Sequence, residues 1–377
     1  MPGWEIIGKE ERNSINKLFD EGGVLFAHGF SKYRKKYHVR EFEKLAAKKF
    51  NIKNAQAVSS GTAALKIALL SVGVKRGDEV ITQAFNFIAT IEAILDIGAK
   101  PIMVDVDRTL NMSTNALKKS ITRKTKAIVP VHMLGVPADM KEIMKIAKKS
   151  KIKVIEDNCE AMGAKLDNKY LCAIGDIGVV SFDFSKTITC GEGGMIYTNN
   201  SKFFKFIREY HDHGHENNPK LPRGMDTRSI YGFNYRITEM QAVIGKVQLS
   251  KIDKVLKMQK ERYYSLSSTI GSGIKMRDIP KNSKITHDTF IFFENNKNRR
   301  NKIIKILNEE KFGTKNLPDA IKWHCASYWG HALKKKEINK VVNTKKLLTT
   351  AIAIPISLKK TLSDYKKLGK LISKIDN

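Results

Sequence analysis

Over its first two thirds, the chain alternates short apolar runs with longer amphipathic stretches. Glu79–Thr82, Lys100–Val106, Ala127–Val131, Lys153–Asp157, Ile177–Phe182 and Met195–Thr198 have strand length and β-branched content, which predicts buried strands. Residues 63–70, 87–96 and 138–149 carry apolar side chains at helical spacing, and 10–20 and 38–50 predict amphipathic helices ahead of them. Ala55–Thr62 is read as a small-residue turn opening the 63–70 helix, which ends near Gly73. Strands alternating with helices imply βαβ crossovers and an α/β fold, with a mostly parallel sheet covered by helices on both faces. Ligands of such sheets gather beyond the carboxyl ends of the strands, where Thr62, Asp157 and Lys186 fall.

The pattern changes after about residue 245. Residues 235–268 predict a helix bridging two domains, and beyond 270 the chain is rich in Lys and Asn with weaker strands such as Phe290–Phe293. The expectation is a large domain over 1–250 and a smaller α+β domain over 251–377, which a chain of 377 residues can furnish with a core each.

Composition narrows the classes. Hydrophobic residues make up 42% and charged residues 28%, and no run approaches the roughly 18 apolar residues of a membrane span. Met1–Glu5 has neither a basic nor an apolar leader region, so a cytoplasmic protein without membrane insertion is expected. Cys159, Cys172, Cys190 and Cys325 lack zinc-like spacing, so reduced thiols and no metal site are expected. The net charge of +30 admits a nucleic-acid partner or a lysine-biased surface suited in part to an acidic substrate. The lysines are scattered, as in Lys141, Lys145, Lys148, Lys149, Lys151 and Lys153, without an arginine-rich or aromatic-interleaved cluster, which favours the second.

Lys186 follows one buried strand and precedes another. Burial there predicts a lowered pKa and an amine able to attack a carbonyl. The plainer reading is a solvated loop lysine, against which the Gly191-Glu192-Gly193-Gly194 run argues, because glycines let backbone pack closely beside it. Asp157 ends an apolar strand, either facing a buried cation or capping the turn Asn158-Cys159-Glu160. Ser60-Gly61-Thr62-Ala63 opens a helix, which makes an anion site or, more simply, a helix cap. Together they give an anion site, an acid and a lysine in the order that pyridoxal 5'-phosphate requires.

The segments Ser59–Leu65, Glu156–Ala161, Ser181-Phe182 with Lys186 and Glu192–Gly194, and Gly232–Arg236 resemble the DegT/DnrJ/EryC1/StrS sugar aminotransferases of fold type I, from about residue 5 to 260. The resemblance implies that Lys186 forms the Schiff base with the cofactor and that Asp157 meets its pyridine nitrogen. It implies that Gly61, Thr62, Ala63 and Ser181 bind the phosphate, Phe87 stacks on the ring, and Glu160 approaches the phenolic oxygen. Many relatives have Gln or His in place of Glu160, and a carboxylate there would repel a phenolate unless a proton is shared. Arg236, or its neighbour Asn234, would reach the phosphate of a partner subunit in a homodimer. A lysine rather than histidine at 186 favours transamination over sugar dehydration.

Met1–Glu5, Ser181–Asp183, Thr187–Cys190 and Asp212–His215 are further similar to the 8-amino-3,8-dideoxy-octulosonate aminotransferases of lipopolysaccharide synthesis. The expectation is therefore amino transfer from L-glutamate to an oxidised octulosonate, with a nucleotide-diphospho-4-keto- or 3-keto-hexose as the alternative acceptor. A basic nucleic-acid-binding protein retaining the fold rests on charge alone. His211–Arg228 is read either as a substrate loop, with His213 and Arg228 as candidates, or as a polar surface loop. Trp323-His324-Cys325 either lines the sugar pocket or packs a small core.

Overall fold

The computed structural model of the chain describes residues 2–218 and 220–375. Its centre is a seven-stranded sheet of β1 (Asn54–Val58), β2 (Glu79–Gln83), β3 (Lys100–Val104), β4 (Thr125–Val129), β5 (Lys153–Asp157), β6 (Ile177–Ser181) and β7 (Gly194–Thr198), in the order β1-β7-β6-β5-β4-β2-β3. Strands β6, β5, β4, β2 and β3 pair in parallel. Strand β7 runs antiparallel to both of its neighbours. Successive strand residues serve opposite faces. Ala127 and Val129 join one core cluster with helix α3 (Gly61–Ser71), while Ile128 and Val154 join another with helix α6 (Met140–Ser150). Burial on both faces explains why these strands read as continuous apolar runs. Helices α1 (Lys9–Asp20), α2 (His38–Phe50), α4 (Ala89–Asp96), α5 (Thr114–Ser120) and α7 (Ser201–Tyr210) complete the layers.

One expectation is corrected here. Ala55–Val58 is not a turn but edge strand β1, paired with β7 from Asn54 opposite Thr198 to Val58 opposite Gly194. Ala and Gln are weak strand formers, so pairing decides the conformation, and the small side chains of Ala55 and Ala57 pack under Phe42 and Ala46 of α2.

The C-terminal part forms a three-stranded antiparallel sheet from Lys275–Met276, β8 (Thr289–Phe293) and β9 (Ala351–Pro355). Phe290, Phe292, Ile352 and Ile354 face a core with α9 (Lys297–Glu309) and α10 (Leu362–Ser373). Ile291, Phe293, Ala351 and Ala353 face Phe85, Val131 and Met133, which lie just past the ends of β2 and β4. The small sheet is thereby seated over the carboxyl end of the large one. Helix α8 (Glu239–Ser267) spans the expected 250/251 boundary without a break and packs on α1, α2 and α10. Among the described residues, no helix is long and apolar enough to cross a membrane.

Candidate active site

A cleft of about 680 Å³ opens where β2, β5 and β6 end and the small sheet begins. Asp157, the last residue of β5, forms part of its lining and is 3% exposed. One carboxylate oxygen accepts the Thr90 hydroxyl (2.9 Å) and the other accepts the Cys159 amide (3.2 Å). Asp157 thus serves the turn and the cleft at once, and its remaining lone pairs are open to a cationic ligand group.

The N-terminus of α3 forms the adjoining wall. Ser60 is a true cap, its hydroxyl accepting from the Ala63 amide at 3.0 Å, while the Ala64 amide donates to the Ser60 carbonyl. Ala63 therefore has no amide left for a ligand. Among the described residues, the Gly61 and Thr62 amides have no protein acceptor. Free amides at a helix start, with its positive dipole end, suit a phosphate. Gly61 is required by packing: a Cβ there would lie 2.9 Å from the Ser181 Cβ and 3.3 Å from its hydroxyl. Close approach brings the Ser181 hydroxyl, which accepts from the Asp183 amide at 3.2 Å, up against Gly61.

Lys186 lies in the loop between β6 and β7, where its ammonium donates to Glu160 Oε1 at 2.9 Å. The expected lowering of its pKa is overturned. Burial does oppose the charge, but the carboxylate of Glu160 outweighs it and the pKa rises. Burial likewise works against the charge of Glu160, yet Lys186, Lys315 and His324 hold its carboxyl well below the usual range. The pair is a buried ion pair, and an amine fit for attack requires that Glu160 be engaged elsewhere. Glu160 Oε2 is buried without a partner, an acceptor open to a ligand hydroxyl.

Phe87 also lines the cleft, 43% exposed, its ring 5.6 Å from that of His324. The other candidates lie elsewhere. The Arg236 guanidinium pairs with Asp212 at 2.7 Å, and exposed Asn234 bridges Asp212 through its backbone. His213 is exposed on a left-handed turn with φ 54°, and exposed Arg228 meets His215 at 3.2 Å. None of the four lines this cleft, because the described residues of the 211–236 segment fold onto one another around buried Asp212 and half-buried Asp226 instead of reaching over the sheet. Of Trp323-His324-Cys325, His324 lines the cleft, Cys325 is core and Trp323 is 64% exposed.

Sequence reasoning missed Thr90, Asn86, Lys315 and Asn316. The Asn86 and Asn316 side-chain amide nitrogens are buried without partners at this cleft. Lys315 binds Asp288 at 2.5 Å. Only the apolar-to-polar break at Asn86 and Thr90, beside Phe87, carried a local signal.

The free amides, the unpartnered Glu160 oxygen, the open side of Asp157 and the lysine match the phosphate, phenolic oxygen, ring nitrogen and aldehyde of pyridoxal 5'-phosphate, the family cofactor. The chain matches the DegT/DnrJ/EryC1/StrS aminotransferase family over residues 26–372. It is 37% identical to a GDP-perosamine synthase of Escherichia coli O157:H7 over 286 residues, covering 76% of this chain and 74% of that protein. It is 40% identical over 236 residues to a UDP-N-acetyl-3-dehydro-alpha-D-glucosamine 3-aminotransferase of Acidithiobacillus ferrooxidans, covering 62% and 60%. An aminotransferase structure from Psychrobacter cryohalolentis superposes with a TM-score of 0.87 at 27% identity, covering 98% and 97%. The fold also matches a GDP-4-keto-6-deoxymannose-3-dehydratase holding a trapped adduct of pyridoxal phosphate and glutamate, with a TM-score of 0.83 at 23% identity over 97% and 98%. The synthase, the 3-aminotransferase and the dehydratase are named for nucleotide-linked sugars and not for an octulosonate. On the strength of the matched span and the cleft, this chain belongs to the DegT/DnrJ/EryC1/StrS aminotransferases, enzymes that depend on pyridoxal phosphate.

Proposed function

We propose that the enzyme transfers an amino group from L-glutamate to a keto-hexose carried on a nucleoside diphosphate. The observation that carries the reading is the convergence of Lys186, Asp157 and the free amides of α3 on one cleft. The nucleotide-linked acceptor draws its support from the GDP- and UDP-sugar enzymes to which the chain is similar. It replaces the octulosonate as the favoured substrate.

Bound pyridoxal phosphate supplies an electron sink that stabilises negative charge at the donor carbon. Gly61, Thr62 and Ser181 would hold its phosphate, Asp157 would keep its ring nitrogen protonated, and Phe87 would cover the ring. Glu160, released from Lys186, would accept from the phenolic hydroxyl. The Lys186 amine, once free, would be the general base and acid for the proton of the donor carbon. The donor and the sugar enter between the large domain and the smaller C-terminal one. Asn234 and Arg236 serve the phosphate of a second copy in a homodimer, a reading supported by the exposure of Tyr231 (77%) and Phe233 (47%) beside them. His213 and Arg228, on the same segment, would then face the partner's cleft.

Purified protein mixed with pyridoxal phosphate should gain the visible band of a lysine-bound aldehyde, and Lys186→Ala should abolish it. An unchanged band in the variant would defeat the reading. With glutamate as donor, amine should form on a nucleotide-diphospho-keto-hexose and not on an octulosonate ketone. The reverse preference would restore the octulosonate.

A further inference from the structure

The Gly3-Trp4-Glu5 motif has no role in the chemistry above, yet it touches the Lys186 loop and the small domain together. It lies in a short 3₁₀ turn, Gly3–Ile6. The Gly3 amide donates to the Lys186 carbonyl at 2.9 Å. A Cβ on Gly3 would sit 2.6 Å from that oxygen and 3.0 Å from the Ile188 carbonyl carbon, so no larger residue keeps this contact. The Trp4 ring stacks on Phe184, two residues before the lysine, at 5.6 Å and 20°. The Lys359 ammonium lies 3.8 Å from the centre of the Trp4 ring. Glu5 accepts from the Ser357 hydroxyl and from the Leu358 amide, each at 2.6 Å. Ser357–Lys359 follow β9 of the small sheet, and Trp4, Glu5 and Ser357 all line the cleft.

From within, the far end of the loop is well held: the Cys190 amide and the Thr189 hydroxyl donate to the Phe182 carbonyl, and the Thr189 amide donates to Gln248 of α8. The Lys186 amide donates to the Asp183 carbonyl at 3.0 Å, and Asp183 holds Ser185. Phe184 points outward, 54% exposed, and the ring stacked on it is that of Trp4. The external strap ties the Phe184–Lys186 end, which those bonds do not reach: a backbone bond at the lysine itself, an aromatic stack beside it, and a carboxylate anchor to the opposite wall.

We infer that Gly3, Trp4 and Glu5 are positioning residues, which fix the Lys186 loop against the small domain and so set where the amine sits in the cleft. The inference rests on the reading of Lys186 as the cofactor lysine. It concerns alignment and not binding, and small misplacements of a reacting group are costly.

The test uses the pyridoxal-phosphate-loaded enzyme. Trp4→Ala should lower kcat roughly 10- to 100-fold, with KM for donor and acceptor within about twofold. It should also slow the growth of the lysine-bound band and change its visible circular dichroism, which reports the tilt of the cofactor. Trp4→Phe, which keeps a stacking ring, should restore most of each. Gly3→Ala should act like Trp4→Ala. Should Trp4→Ala fail to fold, Ser357→Ala loosens the anchor from the far side and should shift the same dichroism and kcat in the same direction. Wild-type kcat and dichroism in these variants would overturn the inference, as would a loss confined to KM. A wild-type protein that gains no band at all would instead defeat the assignment of Lys186.

Discussion

Replacing Glu160 with glutamine should change when Lys186 becomes a free amine. The ammonium and carboxylate are 2.9 Å apart, the lysine side chain 14% and the glutamate side chain 8% exposed. At an effective dielectric constant of about 20, two unit charges at that spacing attract by roughly 6 kcal/mol, or about four pKa units. Glutamine keeps a carbonyl acceptor for the ammonium, and the lysine lines an open cleft, so a net fall of about two units is expected. In the wild type the pKa is raised by the glutamate charge, against the effect of burial, so the free amine accumulates only at alkaline pH. In Glu160→Gln the largest charge opposing burial is gone, with only Asp183 and Cys159 left to act against it, and the amine is free at lower pH. The assay is the rate at which cofactor-free protein gains the lysine-bound band of pyridoxal phosphate, measured from pH 6 to 10. At each pH in that range the variant should gain the band roughly 100-fold faster, which is what a fall of about two units requires. An equal or slower rate would refute the claim that Glu160 governs the lysine.

Gly61→Ala forces a methyl to 2.9 Å from the Ser181 Cβ. Overpacking of this kind costs about 1–3 kcal/mol, and because it falls on the proposed phosphate wall, Kd for pyridoxal phosphate should rise roughly 5- to 150-fold. Equilibrium titration of the band checks it, and an unchanged Kd would count against the α3 cradle. Acid should destabilise the fold through His211, whose pKa is pushed by burial from 6.5 to about 4 despite the charge of Asp212. A depressed histidine pKa means that the unfolded chain takes the proton first, so stability drops as pH falls from about 6.5 towards 4. Between pH 7 and 5 this one group accounts for about 2 kcal/mol. Urea unfolding at both pH values should show the loss, and His211→Gln should remove that share. An equal pH dependence in the variant would refute it.

Much of the architecture was legible because it rests on burial. Strands buried on both faces, such as Ile177–Ser181, announce themselves as unbroken apolar runs, and the Gly-rich segment after Lys186 marks backbone packed too tightly for side chains. Strand β1 escaped notice because Ala and Gln carry no strand signal, and its conformation comes from a partner 140 residues on. The same distance effect hid Lys315, Asn316 and much of the role of His324, which reach the cleft only because the small sheet lies over the strand ends. The direction of the Lys186 shift was missed for another reason. Burial is a property of one segment, whereas the opposing carboxylate belongs to another, and 26 residues of chain separate the two charges. The roles expected of Asn234, Arg236, His213 and Arg228 depend on surroundings that a single chain does not supply.

The reversed direction of β7 has a consequence for how robust the centre is. Val58, Gly194 and Ser181 stand abreast on three adjacent strands, and a Cβ on Gly194 would meet the Ser60 carbonyl oxygen at 2.3 Å. The polypeptide that leaves Ser181 for the Lys186 loop returns at Gly194 directly beside the Ser60-Gly61 turn that opens α3. Ser181 and the start of α3 are thus indexed to one transverse rung of hydrogen bonds, as two teeth cut on the same gear. A one-residue slip would carry both off together, and thermal agitation of the Lys186 loop leaves the spacing of those two to the stiffest part of the molecule.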